Sequence, residues 1–260
     1  MRLVCLSTLL ALSLLLPSAF AAQEVRIGAY HFPPYAIKPE QAEAVGLVAE
    51  LLVILNQAQD QYRFSLVPTS TKRRYRDLQS GRYDLILFES PGWGWQDTPH
   101  VATDLHIEDA EVYVALNAPG RDQGYFDSLQ GKRLALYSGY HYGFAGFNAD
   151  PQFLAREFDA LLTYSHDSNL SMILRQRAEI AVITRSYLNM YLQRHPAQAR
   201  AFLVSERVDQ IYRHQALFSQ QSAIAPEVFV GLLEQLKDQG LLDKLFARYY
   251  LSPPPAELSE

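Results

Sequence analysis

Phe64-Ser-Leu-Val-Pro68, then Thr71-Lys-Arg-Arg-Tyr-Arg-Asp-Leu-Gln-Ser80, then Gly81, then Tyr83-Asp-Leu-Ile-Leu-Phe88: these segments decide the class of fold. The first is short and rich in residues that favour a strand. The second is helix-length and mixed, and a glycine stops it. The third is too continuously apolar to alternate between core and solvent, so it reads as a strand buried on both faces. A strand, a helix and a buried strand with short links make a βαβ unit, which calls for a parallel sheet.

The same alternation extends in both directions. Upstream, Val25–Tyr30 reads as a strand, and Gly46–Asn56 as a helix with Leu47, Leu51, Leu52 and Leu55 on one side. Downstream, Asp109–Asn117 reads as a strand that ends in a Pro-Gly loop with Arg121, Asp122 and Gln123, suited to a lobe boundary. The pattern then restarts. Strands are predicted at Lys132–Tyr137, Ala160–Tyr164 and Glu179–Thr184, and helices at Asp150–Phe158, Ser168–Gln176 and Arg185–Arg194. Further strands are predicted near Phe202–Ser205 and His214–Phe218, and the helices Ala225–Asp238 and Leu241–Tyr250 close the chain. The fold class is therefore α/β, with two lobes, each a mainly parallel sheet flanked by helices.

The ends are different. Met1-Arg2, an apolar run from Leu3 to Leu16 and the small-x-small pattern Ala19-x-Ala21 predict a signal peptide over 1–21, cut after Ala21. The apolar run is shorter than the ~20 residues that a spanning helix needs, so no membrane insertion is expected after its removal. The only cysteine, Cys5, lies in this leader, so the remaining chain has no disulfide, thiol nucleophile or thiolate metal ligand. Residues 251–260 carry three prolines in a row and are expected to form a flexible tail. The whole chain has a net charge of −5, and loss of Arg2 with the leader takes it to −6. This mild acidity argues against a nucleic-acid partner.

Ligands of such sheets sit beyond the carboxyl ends of the strands, so the loops there hold the candidate site. After the first strand, His31-Phe-Pro-Pro-Tyr35 either holds Tyr30, Phe32 and Tyr35 as rigid walls or packs on the core. After the second, Ser70 and Arg73 lie at a helix start, where backbone N–H groups and a guanidinium favour a carboxylate or phosphate. Arg74 and Arg76 on that helix are expected to be solvated. After Phe88 come Glu89, Ser90 and both tryptophans, Trp93 and Trp95, with glycines between them. This loop is either a stacking face with an acidic neighbour for a cationic group, or a core plug. After Tyr137, Ser138, Tyr140 and His141 form a second anion-receptive, aromatic turn. Ser165 reads as a helix cap, and Thr184 and Arg185 end the last strand of that lobe.

Catalytic signals are missing. No two of the seven histidines have zinc-ligand spacing, so no metal site is expected, and there is no nucleophile elbow, phosphate loop or dinucleotide fingerprint. No cofactor is expected. The pair Glu108-Asp109 is expected to be solvated. The balance favours a binder over an enzyme, with no catalytic residues assigned.

Four segments carry a resemblance. These are Tyr30-His-Phe-Pro-Pro-Tyr35, Gly46-Leu-Val-Ala-Glu-Leu51, Leu78-Gln-Ser-Gly-Arg-Tyr-Asp84 and Leu129-Gln-Gly-Lys-Arg-Leu134. In order and spacing the chain, from about Val25 to Tyr249, resembles the type II periplasmic solute-binding proteins, specifically the amino-acid-type family 3 receptors of ABC transporters. The resemblance implies a discontinuous lobe one over 22–117 and 206–250, a lobe two over 118–205, and a two-segment hinge. It also implies a periplasmic monomer that closes on a small-molecule ligand and docks on an ABC permease or another membrane receptor. Two family features are absent. Where amino-acid binders carry Thr-x-x-Arg to grip the α-carboxylate, this chain has Ser90-Pro-Gly-Trp-Gly-Trp95. Where they place an Asp for the α-amino group, it has Thr184 and Arg185. Arg73 matches a position where some relatives carry an arginine. Two other roles on the same fold stay open: a periplasmic enzyme of the cyclohexadienyl dehydratase type, and a ligand-sensing partner of a membrane receptor.

Overall fold

In the computed structural model, which describes residues 21–251, the first strands are β1 (Gln23–Ala29), β2 (Tyr62–Pro68) and β3 (Leu85–Glu89). β1 lies between the other two and runs parallel to both. The connections carry α1 (Leu47–Ala58) and α2 (Arg74–Gln79). α1 buries Leu47, Leu51, Leu52 and Leu55, the stripe its spacing predicts. The expected leader and tail lie almost wholly outside the described residues.

The chain then crosses in one long strand, β4 (Val101–Leu116), into a second unit built the same way. Here β5 (Leu134–Tyr137) lies between β6 (Ala160–Thr163) and β7 (Ile180–Thr184), parallel to both, with α3 (Pro151–Phe158) and α4 (His166–Leu174) as crossovers. α5 (Arg185–Arg194) and α6 (Pro196–Ala199) lead into a second long strand, β8 (Phe202–Phe218), and α7 (Pro226–Asp238) and α8 (Leu241–Arg248) follow. The strand order is β2-β1-β3-β8-β4-β7-β5-β6. Two three-stranded parallel sheets are thus joined by an antiparallel pair, with β8 edging the first and β4 edging the second.

The long strands correct the sequence reading in two places. Phe202–Ser205 and His214–Phe218 are the ends of one strand, and the strand expected at Asp109–Asn117 begins at Val101. Charged residues between the apolar ends, Glu206, Arg207 and Asp209 in β8 and Asp104 and Glu108 in β4, break the apolar signal while each strand continues through them. The β4–β8 register shifts between Asp104 and Glu108, and His106 there has φ 54°. An irregularity of this kind bends and twists an antiparallel pair.

Two glycines position the loops that matter. Gly46 has φ 110°, and a Cβ there would lie 2.8 Å from the carbonyl oxygens of Pro34 and Tyr35. Those same carbonyls accept the N–H groups of Leu47 (from Pro34, 3.3 Å) and Val48 (from Tyr35, 2.9 Å), so the Pro-Pro loop is tied to the start of α1. Gly28 in β1 lets the Tyr83 ring lie against the backbone, where a Cβ would come within 2.6 Å of it. The Tyr83 hydroxyl donates to the Arg74 carbonyl and fixes the start of α2.

Candidate functional site

A cleft forms where the carboxyl ends of the two parallel sheets face each other. It is lined by Tyr30, Phe32, Arg74 and Trp93 from the first unit, by Gly139, Tyr140 and His141 from the second, and by Glu111 and Gln210 from the crossing strands. The two faces touch. Phe32 meets Tyr140 edge-on at 5.4 Å between ring centroids, and the Trp93 indole N–H reaches Gln210 Oε1 at 3.4 Å. Gln210 in turn donates to the His141 carbonyl. The remaining cavity is about 10 Å³, room for roughly one water. A larger apolar cavity of about 340 Å³, between residues 104–107 and α7 and α8, shares no lining residue with the cleft. Its polar rim, including His106, Glu234 and Lys237, is largely exposed. The cleft, by contrast, gathers buried polar groups with missing partners, so it is the candidate site.

Arg74, expected to be solvated, is 1% exposed. One turn of α2 directs it inward, and Arg73 remains exposed beside it. The Arg74 guanidinium lies 3.5 Å from Glu89, donates to the Trp93 carbonyl at 3.1 Å, and stacks on the rings of Tyr30, Tyr75 and Trp95 at 4.7, 4.6 and 5.6 Å. Glu89 also accepts the Trp95 indole N–H at 2.8 Å. Burial pushes the Glu89 carboxyl up, and the Arg74 charge opposes this. The Trp-Gly-Trp loop therefore has two parts: Trp93 faces the cleft, while Trp95 is a buried wall behind Arg74 and Glu89.

The floor is polar. Asp109, expected to be solvated, is buried because the longer β4 carries it inside. It accepts the Tyr35 hydroxyl at 2.7 Å, and His214 Nε2 meets the same hydroxyl at 2.7 Å. Arg185, half-exposed, reaches Asp109 at 3.7 Å. Two positions further along β4, Glu111 Oε1 accepts from Thr184 at 2.9 Å and from Tyr212 at 3.2 Å. The Thr184 hydroxyl also meets His166 Nε2 at 3.2 Å. Ser165 caps α4 as expected, accepting the Ser168 N–H, and the next residue, His166, enters the floor. Burial raises the Glu111 carboxyl well above its usual range. It also lowers His166 and His214 to about 3 and His141 to about 4, which keeps all three neutral.

The predicted site residues fall into three groups. Tyr30, Phe32, Trp93, Tyr140 and His141 line the cleft. Tyr35, Glu89, Ser90, Trp95 and Thr184 are buried behind it. Ser70, Arg73, Ser138 and Arg185 are half-buried or exposed and do not line it. The anion-receptive turn predicted after Tyr137 is filled by the chain itself: the Gly143 and Phe144 N–H groups donate to Asp209 at 2.7 and 2.8 Å. Sequence reading missed Arg74, Glu111, Gln210, Asp109, His166 and His214 as parts of this site. The mid-strand charges of β4 and β8 were the available signal, since a charge inside an apolar strand needs a partner. Among the described residues, no group of three or more His, Cys, Asp or Glu side chains is placed to hold a metal.

No known family pattern and no curated protein matches the sequence. Solved structures do. The chain is 16% identical to an ABC uptake transporter substrate-binding protein from Streptococcus pneumoniae with bound histidine, at a TM-score of 0.66, over 87% of this chain and 92% of that one. It is 16% identical to an ancestral arginine-binding protein bound to arginine, at 0.63, over 88% and 99%. It is 18% identical to a histidine kinase sensor domain similar to periplasmic binding proteins, at 0.62, over 88% and 96%. The chain has the two-lobed fold of the amino-acid substrate-binding proteins of ABC transporters, with β4 and β8 as the two segments that join its lobes.

Proposed function

We propose that this protein is a periplasmic solute-binding protein. It captures a small polar ligand between its lobes and presents the closed form to an ABC permease. The observation that carries this reading is the cleft itself: aromatic rings from both lobes meet over a floor of buried polar groups whose partners are incomplete. Glu111 Oε2, Tyr140 Oη, His166 Nδ1 and His214 Nδ1 all lack a hydrogen-bond partner. Buried polar atoms without partners are costly, and a ligand that supplies them recovers that cost only when both lobes surround it. We place lobe one at 22–117 and 206–250 and lobe two at 118–205, with the flexing point at the register shift in the crossing strands. We read the protein as a monomer exported through a cleaved leader.

Purified protein, scanned for thermal unfolding against amino acids, amines, organic acids and dipeptides, tests the reading. A ligand at a hundred times its Kd adds about 2.7 kcal/mol, and each kcal/mol raises Tm by roughly 2–4 °C in a chain of this size. A stabilised class with stoichiometric binding and no product supports the reading. No stabilisation by any class overturns it, and turnover of the bound compound assigns an enzyme. The likeness to a kinase sensor domain supports a sensing role as the second reading. Pull-down of a membrane receptor instead of a permease by the liganded protein would favour it.

A further inference from the structure

The cleft holds one ionisable group with a charged partner and one without. Arg74 is already matched by Glu89 at 3.5 Å and enclosed by three rings. Glu111 is fully buried and lines the cavity, its hydrogen bonds come from neutral hydroxyls, and the guanidinium on the same lining, Arg74, is paired with Glu89. Both of its hydrogen bonds fall on Oε1, and Oε2 has no hydrogen-bond partner. The groups that face it are Thr184 from β7, Tyr212 and Asp209 from β8, Asp109 from its own strand, and Tyr140 and Tyr142 from the loop after β5. His166, one bond further through Thr184, is held neutral by burial. These neighbours are neutral or acidic. The rings of the cavity wall are Tyr30, Phe32, Trp93 and Tyr140, with Arg74, His141 and Gln210 completing the lining. Aromatic faces next to an unmatched carboxylate are the chemistry that takes up an ammonium group.

We propose that the ligand is a compact organic cation, a primary or methylated amine without a carboxylate, whose nitrogen binds Glu111 Oε2 and whose carbon substituents contact these four rings. This inference rests on the reading of the cleft as a ligand site and names its ligand class. A ligand carboxylate at the cleft's guanidinium, Arg74, has to compete with the Glu89 charge 3.5 Å away, although Arg74 Nε makes no hydrogen bond. Entry requires Phe32 and Tyr140 to separate, since the closed cavity holds about one water. Burial raises the Glu111 carboxyl and favours its protonated form in the empty protein, whereas an ammonium ion beside it favours the carboxylate, so binding is expected to release a proton.

Titration calorimetry of the full exported chain with methylammonium, ethanolamine, choline and putrescine, against glycine, alanine, glutamate, arginine, acetate and succinate, tests this. An amine is expected to bind at one per chain. It should release close to one proton, read from the enthalpy in two buffers of different ionisation heat, and tighten up to ~10-fold per pH unit while Glu111 stays protonated in the empty protein. Glu111→Gln keeps the acceptor for Thr184 and Tyr212 and is expected to lose 10-fold or more in amine affinity with its unfolding temperature retained. Proton release and its pH dependence in the unaltered protein decide the matter if that variant fails to fold. Tighter binding of amino acids or organic acids than of any amine overturns the ligand class and leaves the solute-binding reading in place. Amine binding without proton release removes Glu111 from the role. No binding by any compound overturns both.

Discussion

The buried pair of Arg74 and Glu89 makes an asymmetric prediction. Their side chains are 1% and 0% exposed, so neither charge is relieved by solvent when the other is removed. Glu89→Gln leaves a guanidinium that cannot shed its proton, stacked among three rings with only neutral acceptors, the Trp93 carbonyl and the new amide oxygen. Breaking such a pair from one side costs about 3–5 kcal/mol. Arg74→Met leaves a carboxyl that can take up a proton instead. Burial already drives Glu89 upward, and Arg74 is the main force holding it back. Without Arg74, its folded pKa stands above the unfolded value of about 4.3, and each unit of that gap costs about 1.4 kcal/mol at neutral pH. A raised folded pKa stabilises below the unfolded value, and this stability is lost as pH rises through the folded one. Arg74→Met should therefore recover up to about 1.4 kcal/mol per pH unit, relative to the unaltered protein, between about pH 7.5 and pH 5. Glu89→Gln should show no such recovery. The double variant should cost at least about 2 kcal/mol less than the sum of the single ones, because it removes both charges. Urea unfolding of all four proteins at both pH values measures this. Equal, pH-independent costs that simply add would refute the account of Arg74 and Glu89 as a matched pair.

Two further outcomes follow from the cleft. His166 and His214 titrate near 3 in the folded protein and near 6.5 when unfolded, so stability present above pH 6.5 is lost as pH falls toward 3. The slope is about 1.4 kcal/mol per pH unit for each histidine. His214→Gln should flatten the curve of unfolding free energy against pH over that range, and an unchanged slope would mean that His214 already carries a proton when folded. Trp93 packs on Phe32 and Tyr212 at the cleft, while Trp95 is sealed against Glu89. Ligand binding should therefore alter fluorescence in Trp95→Phe and leave Trp93→Phe nearly silent. The reverse pattern would place the ligand elsewhere.

Much of the fold was legible because its signals are local. The run Tyr83–Phe88 and the leucines of α1 report burial within one element, and their spacing is set by the geometry of a strand or a helix. Gly28 was not legible in this way, because what requires it is the Tyr83 ring from a distant segment. The crossing strands were not legible in this way either. β4 and β8 pass from one lobe to the other, so no single environment governs their length. Their charged middles, Glu108 to Glu111 and Glu206 to Gln210, look like the ends of strands.

The site was legible to the extent that aromatic residues in strand-end loops mark it. Its polar half was hidden because burial of a charged side chain depends on partners distant in sequence. Arg73 immediately precedes α2 and Arg74 opens it, the two differ in direction, and what selects Arg74 is Glu89, with Tyr30 and Trp95 around it. Glu111 is selected by Thr184 and Tyr212, 73 and 101 residues away. Those partners lie on β7 and β8, so the carboxylate belongs to the segment that joins the lobes and to neither loop set alone. This placement has a mechanical consequence. Asp109, Glu111, Gln210, Tyr212 and His214 all stand on the crossing strands between or beside the register shifts at Asp104/Glu108 and Glu111/Val112. Under the proposed function, an occupant held by Glu111 and by rings from both lobes would act on the strands that join the lobes. Charge matching at the floor and closure of the walls would then be one equilibrium, biased by as much as the ligand's contacts differ between the open and closed forms.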